Sequence, residues 1–381
     1  MNKTVAVIAG TRPEAVKVCP LVLALRDHAE LSGRLCVTAQ HRQMLDQVLA
    51  AFGVTPDADL DLMRSGQSLC GFMARALEGL DTHFAATPPD LVLVQGDTAT
   101  ALAGAMAAFY HHIPVGHVEA GLRTGDLDAP WPEEANRLMI SRIATLHFAP
   151  TGESRDNLLR EGVAPDRVFV TGNTGIDALF MMVDRVRRNA PEAPGLPLQS
   201  DAAWWARPLV LVTLHRRESF GEGFERFCGV LAGLAREFPG VNFVYPVHLN
   251  PNVRGPVNRV LSAPGLENVR LIEPQDYPVF VSLMDRARLI LTDSGGVQEE
   301  AATLGKPTLV LRETTERPEA VAAGVLRLVG TDPARIREAA RGVLSGKETW
   351  GADGGTRVYG EGAASACVVK ACADFLRGRD A

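Results

Sequence analysis

The chain reads as an α/β protein made of two Rossmann-like domains, and three observations predict this. Its 381 residues exceed the length at which one hydrophobic core stops growing, so two cores are expected. Short β-branched runs recur between amphipathic stretches, each closed by Gly, Asp, Asn or Pro, as in a parallel sheet with crossover helices. In the middle, Arg185 to Pro208 holds four prolines and no steady period, which reads as a linker.

The strands are expected in order. The first half places them near Thr4 to Ala9, Leu35 to Ala39, Leu91 to Gln95, Pro114 to Val118, Leu146 to Ala149 and Val168 to Thr171. The second places them near Leu209 to Leu214, Phe243 to Val247, Val269 to Ile272, Leu289 to Thr292, Thr308 to Leu311 and Leu326 to Val329. Most are apolar on both faces, as strands covered by helices on each side must be. From about Arg357 to Arg377, the spacing of Val358, Ala363, Ala366, Val369, Ala373 and Leu376 is helical. The domains expected are 1–172, 173–356, and a C-terminal helix over 357–381 that either packs back on the first domain or simply ends the chain.

Composition narrows the function. A formal charge of -6 argues against a surface that coats nucleic acid, while leaving room for a local basic pocket. The six cysteines form no C-x-x-C pair and no zinc set, so buried free thiols and no metal are expected. The apolar start Val5 to Ala9 is too short for a signal-peptide core, and no stretch approaches the roughly 20 residues of a spanning helix. A cytoplasmic, membrane-free protein is the expectation.

Ligands of open α/β sheets collect at the carboxyl ends of the strands, where helix amino termini present N–H groups. The polar clusters fall there. The first strand runs into Gly10-Thr11-Arg12-Pro13-Glu14-Ala15-Val16-Lys17, with Pro13 suited to a first helical turn and Arg12 and Lys17 able to meet an anion; a tight turn followed by a solvated helix is the less favoured alternative. Asp97 and Glu119 end neighbouring strands. Asp97 alone would be taken as the cap of a helix over Thr100 to Tyr110, and Glu133 as a first-turn acid that suits the helix dipole. In the second half, His215-Arg216-Arg217 follows a strand, and His248 follows another. In Thr292-Asp293-Ser294-Gly295-Gly296, a strand turns into a helix whose bare N–H groups can face a phosphate, with Glu300 one turn inside. Neither G-x-G-x-x-G nor a P-loop is present, so NAD and ATP lose support.

Through GTRPEAVKVCPL, QHRQMLDQVL, VQGDTATALAGA, HVEAGLRTGDLDAPWPEEANR, GNTGIDAL, LHRRESFGE, YPVHLNPNV and TDSGGVQEEAATLGKPTLVLRETTERPEAV, the chain resembles the non-hydrolysing UDP-N-acetylglucosamine 2-epimerases of bacteria over nearly its whole length. The resemblance implies a GT-B glycosyltransferase-like fold, with two Rossmann-like domains facing across a cleft. It implies reversible conversion of UDP-N-acetylglucosamine to UDP-N-acetylmannosamine for polysaccharide biosynthesis, by loss of UDP to 2-acetamidoglucal and its re-addition. No cofactor is implied, and a homodimer is.

Carried over residue by residue, Asp97, Glu119 and Glu133 match the acid/base carboxylates, and His215 the histidine that assists the departing diphosphate. Arg12 and Lys17 match the nearby cations. Ser294, Gly295, Gly296, Glu300 and Arg317 match the UDP-binding set. Gln40, His41, Gln43, Arg216 and His248 resemble the cluster at which some members bind a second substrate molecule as activator. Departures from the family pattern are Ser219, Ala302 and Gly66. A glycosyltransferase, a hydrolysing epimerase and a non-catalytic sugar-nucleotide sensor are the competing readings.

Overall fold

A computed structural model describes residues 2–40, 42–64, 66–214, 222–315, 317–348 and 357–380. The chain forms two compact units, Met1–Met181 with Tyr359–Ala381, and Met182–Val358. This division runs through a continuous helix, whereas the sequence-based boundary at 172 precedes that helix.

The first unit runs β1 (Lys3–Ala9), α1 (Arg12–Arg26), β2 (Leu31–Val37), α2 (Arg42–Phe52), β3 (Ala58–Asp59), α3 (Leu69–Ala86), β4 (Leu91–Gln95) and α4 (Ala99–Tyr110). It continues through β5 (Val115–Val118), α5 (Glu133–Ile143), β6 (Leu146–Ala149), α6 (Gly152–Arg160), β7 (Val168–Val170) and α7 (Thr174–Arg188). Its seven strands order as β3-β2-β1-β4-β5-β6-β7, all parallel. Order reverses between β1 and β4, the switch point at which such sheets bind ligands. Val5, Val7 and Ile8 of β1 and all of β4 are buried, as expected of a sheet covered on both faces.

The second unit runs α8 (Ala202–Trp205), β8 (Leu209–Thr213), α9 (Glu222–Glu237), β9 (Asn242–Pro246), α10 (Pro251–Leu261), β10 (Val269–Ile272) and α11 (Tyr277–Arg286). Then come β11 (Ala287–Thr292), α12 (Gly295–Thr303), β12 (Thr308–Val310), α13 (Pro318–Ala322), β13 (Leu326–Leu328) and α14 (Pro333–Leu344). The sheet order β10-β9-β8-β11-β12-β13 is again parallel, with its reversal between β8 and β11. Its core gathers Val210, Val212, Phe224, Phe243, Tyr245 and Leu289.

The last helix, α15 (Ala364–Asp380), belongs to the first unit and packs on α1. The Asp177 carboxylate accepts the N–H groups of Ala364 and Ser365 at 3.1 and 2.6 Å, satisfying two donors that a helix start leaves open. This helix begins seven residues later than its apolar spacing suggests, because Gly360 and Gly362 hold positive φ just before it.

Every strand expected from the sequence lies on an observed one, with two differences. β2 starts at Leu31, ahead of the expected Leu35, and the two-residue β3 was not expected. The stretch 185–208, read as a linker, closes α7 and forms α8 within the second unit. Of the six free cysteines, Cys19, Cys36, Cys228 and Cys372 are buried, while Cys70 and Cys367 are exposed, against the expectation that all are buried. Among the described residues, no helix is long and apolar enough to cross a membrane, and no cluster of three or more His, Cys, Asp or Glu could hold a metal.

Candidate functional site

In the first unit, the carboxyl ends of β1, β4 and β5 bring together Lys17, Asp97 and Glu119. The register pairs Gln95 with Val118, so the residues that follow each strand emerge side by side. Lys17, one turn into α1, donates from Nζ to Glu119 Oε1 at 2.5 Å. Gln95 Nε2 donates to the other oxygen of Glu119. Glu119 has a φ of 65°, which ends the strand and turns its side chain out of the sheet pattern.

Asp97 is not the helix cap. Thr98 takes that role, accepting the Ala101 N–H at 3.0 Å, which leaves the Asp97 carboxylate for another partner. That partner is Arg137 of α5, which donates from Nε at 2.8 Å and Nη2 at 2.7 Å. Asn136 Nδ2 pins the Asp97 carbonyl at 2.7 Å. Burial raises the Asp97 pKa; Arg137 opposes this, and the neighbouring Glu119 charge adds to it. A carboxyl so placed holds a proton more readily than an exposed one.

Glu133 opens α5 and is half-buried; among the described residues it takes no hydrogen bond or ion pair. Its neighbour Glu134 is the buried one. Glu134 Oε1 accepts the N–H groups of Thr124 and Gly125 at 3.0 and 3.1 Å, and Oε2 accepts Arg137 Nη1 at 2.9 Å. One side chain thus ties the loop after β5 to the arginine that holds Asp97. That loop contains cis bonds before Pro130 and Pro132.

Glu14 was also missed from the sequence. It sits buried at the third position of α1, accepts the Gly10 and Thr11 N–H groups at 3.0 and 2.7 Å, and receives Thr98 Oγ1 at 2.6 Å. It therefore stitches the turn carrying Arg12 to the turn carrying Asp97. The spacing Thr11-x-x-Glu14 is a capping box, the signal that could have revealed it. Arg12 is half-buried and, among the described residues, has no carboxylate partner. Gln40 accepts Thr100 Oγ1 at 3.1 Å.

In the second unit, β11 turns at Asp293 and Ser294 directly into α12. The Ser294 N–H is held by Thr292 Oγ1 at 3.0 Å, while its hydroxyl makes no cap bond to the helix. Gly296 is exposed, and an added Cβ would meet nothing within 4 Å, so the first turn of α12 presents bare backbone. Its open N–H groups and positive end suit a phosphate. Tyr277 donates its hydroxyl to Glu300 Oε1 at 2.9 Å. Arg317 Nε donates to Glu299, and the Arg317 N–H to Thr315 Oγ1 at 3.1 Å. Thr315 in turn donates to Gln298 Oε1 at 2.5 Å. Glu299 and Gln298, buried on α12, are thus the supports of Arg317 that sequence reasoning did not single out. His248 is exposed, with Nδ1 accepting the Asn250 N–H at 3.2 Å. His41, His215 and Arg216 lie outside the described residues, as does the side chain of Gln43.

Two parallel sheets whose order reverses at the first strand, one bearing paired carboxylates and cations and the other a glycine turn at a helix start, define an α/β protein of the glycosyltransferase-like class. The glycotransferase of kitacinnamycin shares this fold at a TM-score of 0.55 and 15% identity, over 99% of this chain and 95% of that one. The sequence pattern of the UDP-N-acetylglucosamine 2-epimerase family matches residues 23–373. A UDP-N-acetylglucosamine 2-epimerase of Yersinia pestis is 54% identical over 370 residues, covering 96% of this chain and 97% of that protein. The crystal structure of UDP-GlcNAc 2-epimerase from Neisseria meningitidis bound to UDP-GlcNAc has a TM-score of 0.84 and 44% identity, over 97% of this chain and 100% of that one. The chain belongs to the UDP-N-acetylglucosamine 2-epimerase family.

Proposed function

We propose that the protein inverts C2 of UDP-N-acetylglucosamine to give UDP-N-acetylmannosamine, by eliminating UDP to 2-acetamidoglucal and adding it back, with the proton returning to the opposite face of C2. The C2 proton is not acidic beside an intact acetal. As the C1–O bond to UDP breaks, C1 gains oxocarbenium character, and a carboxylate can take the C2 proton while its electron pair forms the C1–C2 double bond. In reverse, an acid delivers the proton to the other face and the diphosphate closes on C1. Two groups with different proton affinities are needed.

Asp97, Glu119 and Glu133 are the proposed acid/base carboxylates, with His215, Arg12 and Lys17 meeting the charge of the departing diphosphate. Ser294, Gly295 and Gly296 take the diphosphate of UDP, Glu300 the ribose, and Arg317 completes the nucleotide set. A second substrate molecule would use Gln40, His41, Gln43, Arg216 and His248. The observation that carries the reading is the pairing of Asp97 with Arg137 and of Glu119 with Lys17 at adjacent strand ends. Those pairings hold two carboxylates side by side in unlike surroundings, one gripped by a guanidinium and the other by an ammonium. The UDP-GlcNAc bound to the Neisseria relative supports the choice of substrate.

The test is incubation with UDP-N-acetylglucosamine in deuterium oxide, without added metal or NAD, followed by proton NMR. Deuterium at C2 together with UDP-N-acetylmannosamine is expected. Accumulating free N-acetylmannosamine would mean a hydrolysing enzyme, turnover only with an acceptor would mean a transferase, and binding without C2 exchange would mean a sensor. D97N, E119Q and H215A should each lower turnover about a hundredfold or more, the scale of a lost acid/base group.

A further inference from the structure

β5 carries a titratable side chain that the proposed chemistry leaves unused. His117 lies two residues before Glu119, is fully buried, and its Nε2 is 2.8 Å from the Gly96 carbonyl oxygen. A carbonyl can only accept, so Nε2 carries the hydrogen and the imidazole donates. The same strand grips Gly96 again, since the Gly96 N–H donates to Val118 O at 2.9 Å. Gly96 has a φ of 69°, a left-handed bend that glycine adopts at little cost, and this bend turns the chain from β4 into Asp97. On the near side of the bend, Gln95 is tied to Glu119. The end of β5 therefore sets the geometry of the residues leading to Asp97 as well as that of Glu119.

The ring is not equipped to carry protons. Burial pushes the His117 pKa down to about 3, and His147, its register partner on β6, is pushed down by burial to about 4. Among the described residues, Nδ1 of His117 has no hydrogen-bond partner, so its one directed interaction is the bond to Gly96.

We infer that His117 is a positioning residue for the proposed epimerisation: its Nε2–H fixes the Gly96 carbonyl and thereby sets where the Asp97 carboxylate stands relative to Glu119. This rests on the reading of Asp97 and Glu119 as acid/base groups. It separates His117 from a core histidine kept for bulk, and from a histidine that itself moves the proton.

The experiment compares H117Q, whose amide N–H can reach toward the Nε2 position, with H117L, which fills space without a donor. Both are measured in the full chain for kcat, KM and C2 exchange in deuterium oxide, alongside thermal melting. H117L should lose about a hundredfold in kcat with KM little changed, the scale of a misplacement of about 1 Å, and H117Q should recover about tenfold or more of that loss. Equal impairment of both variants, or wild-type kcat in H117L, overturns the inference. Should H117L fail to fold, H117N, whose amide is too short to reach, takes its place: H117Q exceeding it supports the inference, and equal rates overturn it. A wild-type protein that exchanges no C2 hydrogen overturns the functional reading itself, before any variant is compared.

Discussion

Replacing Glu134 by Gln tests whether this buried carboxylate is ionised and holds the first unit's site together. Glu134 is 1% exposed, and all three groups bonded to it donate: the N–H groups of Thr124 and Gly125, and Arg137 Nη1. The amide keeps the shape but turns an NH2 toward either the guanidinium or the two backbone donors. Breaking a buried ion pair by removing one charge costs about 3–5 kcal/mol, and the retained bond from Arg137 to Asp97 favours the low end, about 3 kcal/mol. That is a large share of the roughly 5–15 kcal/mol that holds a typical domain.

The pH dependence has a definite sign. Burial alone would raise the Glu134 pKa, but hydrogen bonds from the Gly125 N–H, Arg137 and the Thr124 N–H outweigh it and leave the pKa below its ordinary value of 4.5. A depressed carboxyl pKa stabilises the fold fully above the unfolded-state value, and that contribution is lost as pH falls through the folded-state value. Urea midpoints of wild type and E134Q should therefore differ fully at neutral pH and converge below pH 4.5, with m-values unchanged. A gap that stays constant from neutral to acid, or an E134Q protein as stable as wild type at neutral pH, would refute the ionised assignment.

Removing the Tyr277 hydroxyl frees Glu300 from its 2.9 Å bond; a hydrogen bond to a charged group is worth about 1.5–3 kcal/mol, so Y277F should weaken UDP binding about tenfold by calorimetry. An unchanged Kd would show that Tyr277 does not support the ribose contact proposed for Glu300. A thiol-specific reagent at neutral pH should label Cys70 and Cys367 rapidly, and the other four cysteines only in denaturant, since burial pushes the Cys19, Cys36 and Cys228 thiols up to about 12 and that of Cys372 higher still. Six thiols reacting at one rate would contradict the packing of α1, β2, α9 and α15.

The fold was legible because its strands are apolar on both faces and short, so each stands out between amphipathic stretches. What was not legible follows from packing. β2 reaches back to Leu31 through Ser32, Gly33 and Arg34, a stretch with no strand character of its own. Gly33 is there because an added Cβ would lie 2.5 Å from Leu25 Cβ, so α1 passes against the strand only if that position is bare. β3 is two residues long and is formed by pairing with Cys36 and Val37, a long-range cause that leaves no local pattern. The cysteines divide for a similar reason: Cys70 begins α3 and Cys367 lies on the outer face of α15, positions that only the helix phase decides.

Asp97 and Glu119 could be picked out because they end strands, but the groups that hold them could not. Glu133 and Glu134 are adjacent and chemically alike, and nothing in Trp131-Pro132-Glu133-Glu134 says which one faces inward. The phase of α5 decides: Glu134, Asn136, Ile140 and Ser141 are buried, and Arg137, three residues after Glu134, shares its face. Once that phase is known, the arginine's position commits it to Asp97 on one side and Glu134 on the other, and the Glu133 carboxylate has no partner among the described residues. Glu134 is 1% exposed and satisfied by a guanidinium and two backbone donors, which leaves it no face for a substrate. Glu133 is half-buried and, among the described residues, its carboxylate has no such donors, so the same helix phase that makes Glu134 structural is what supports Glu133, and not its neighbour, as the proposed third acid/base group.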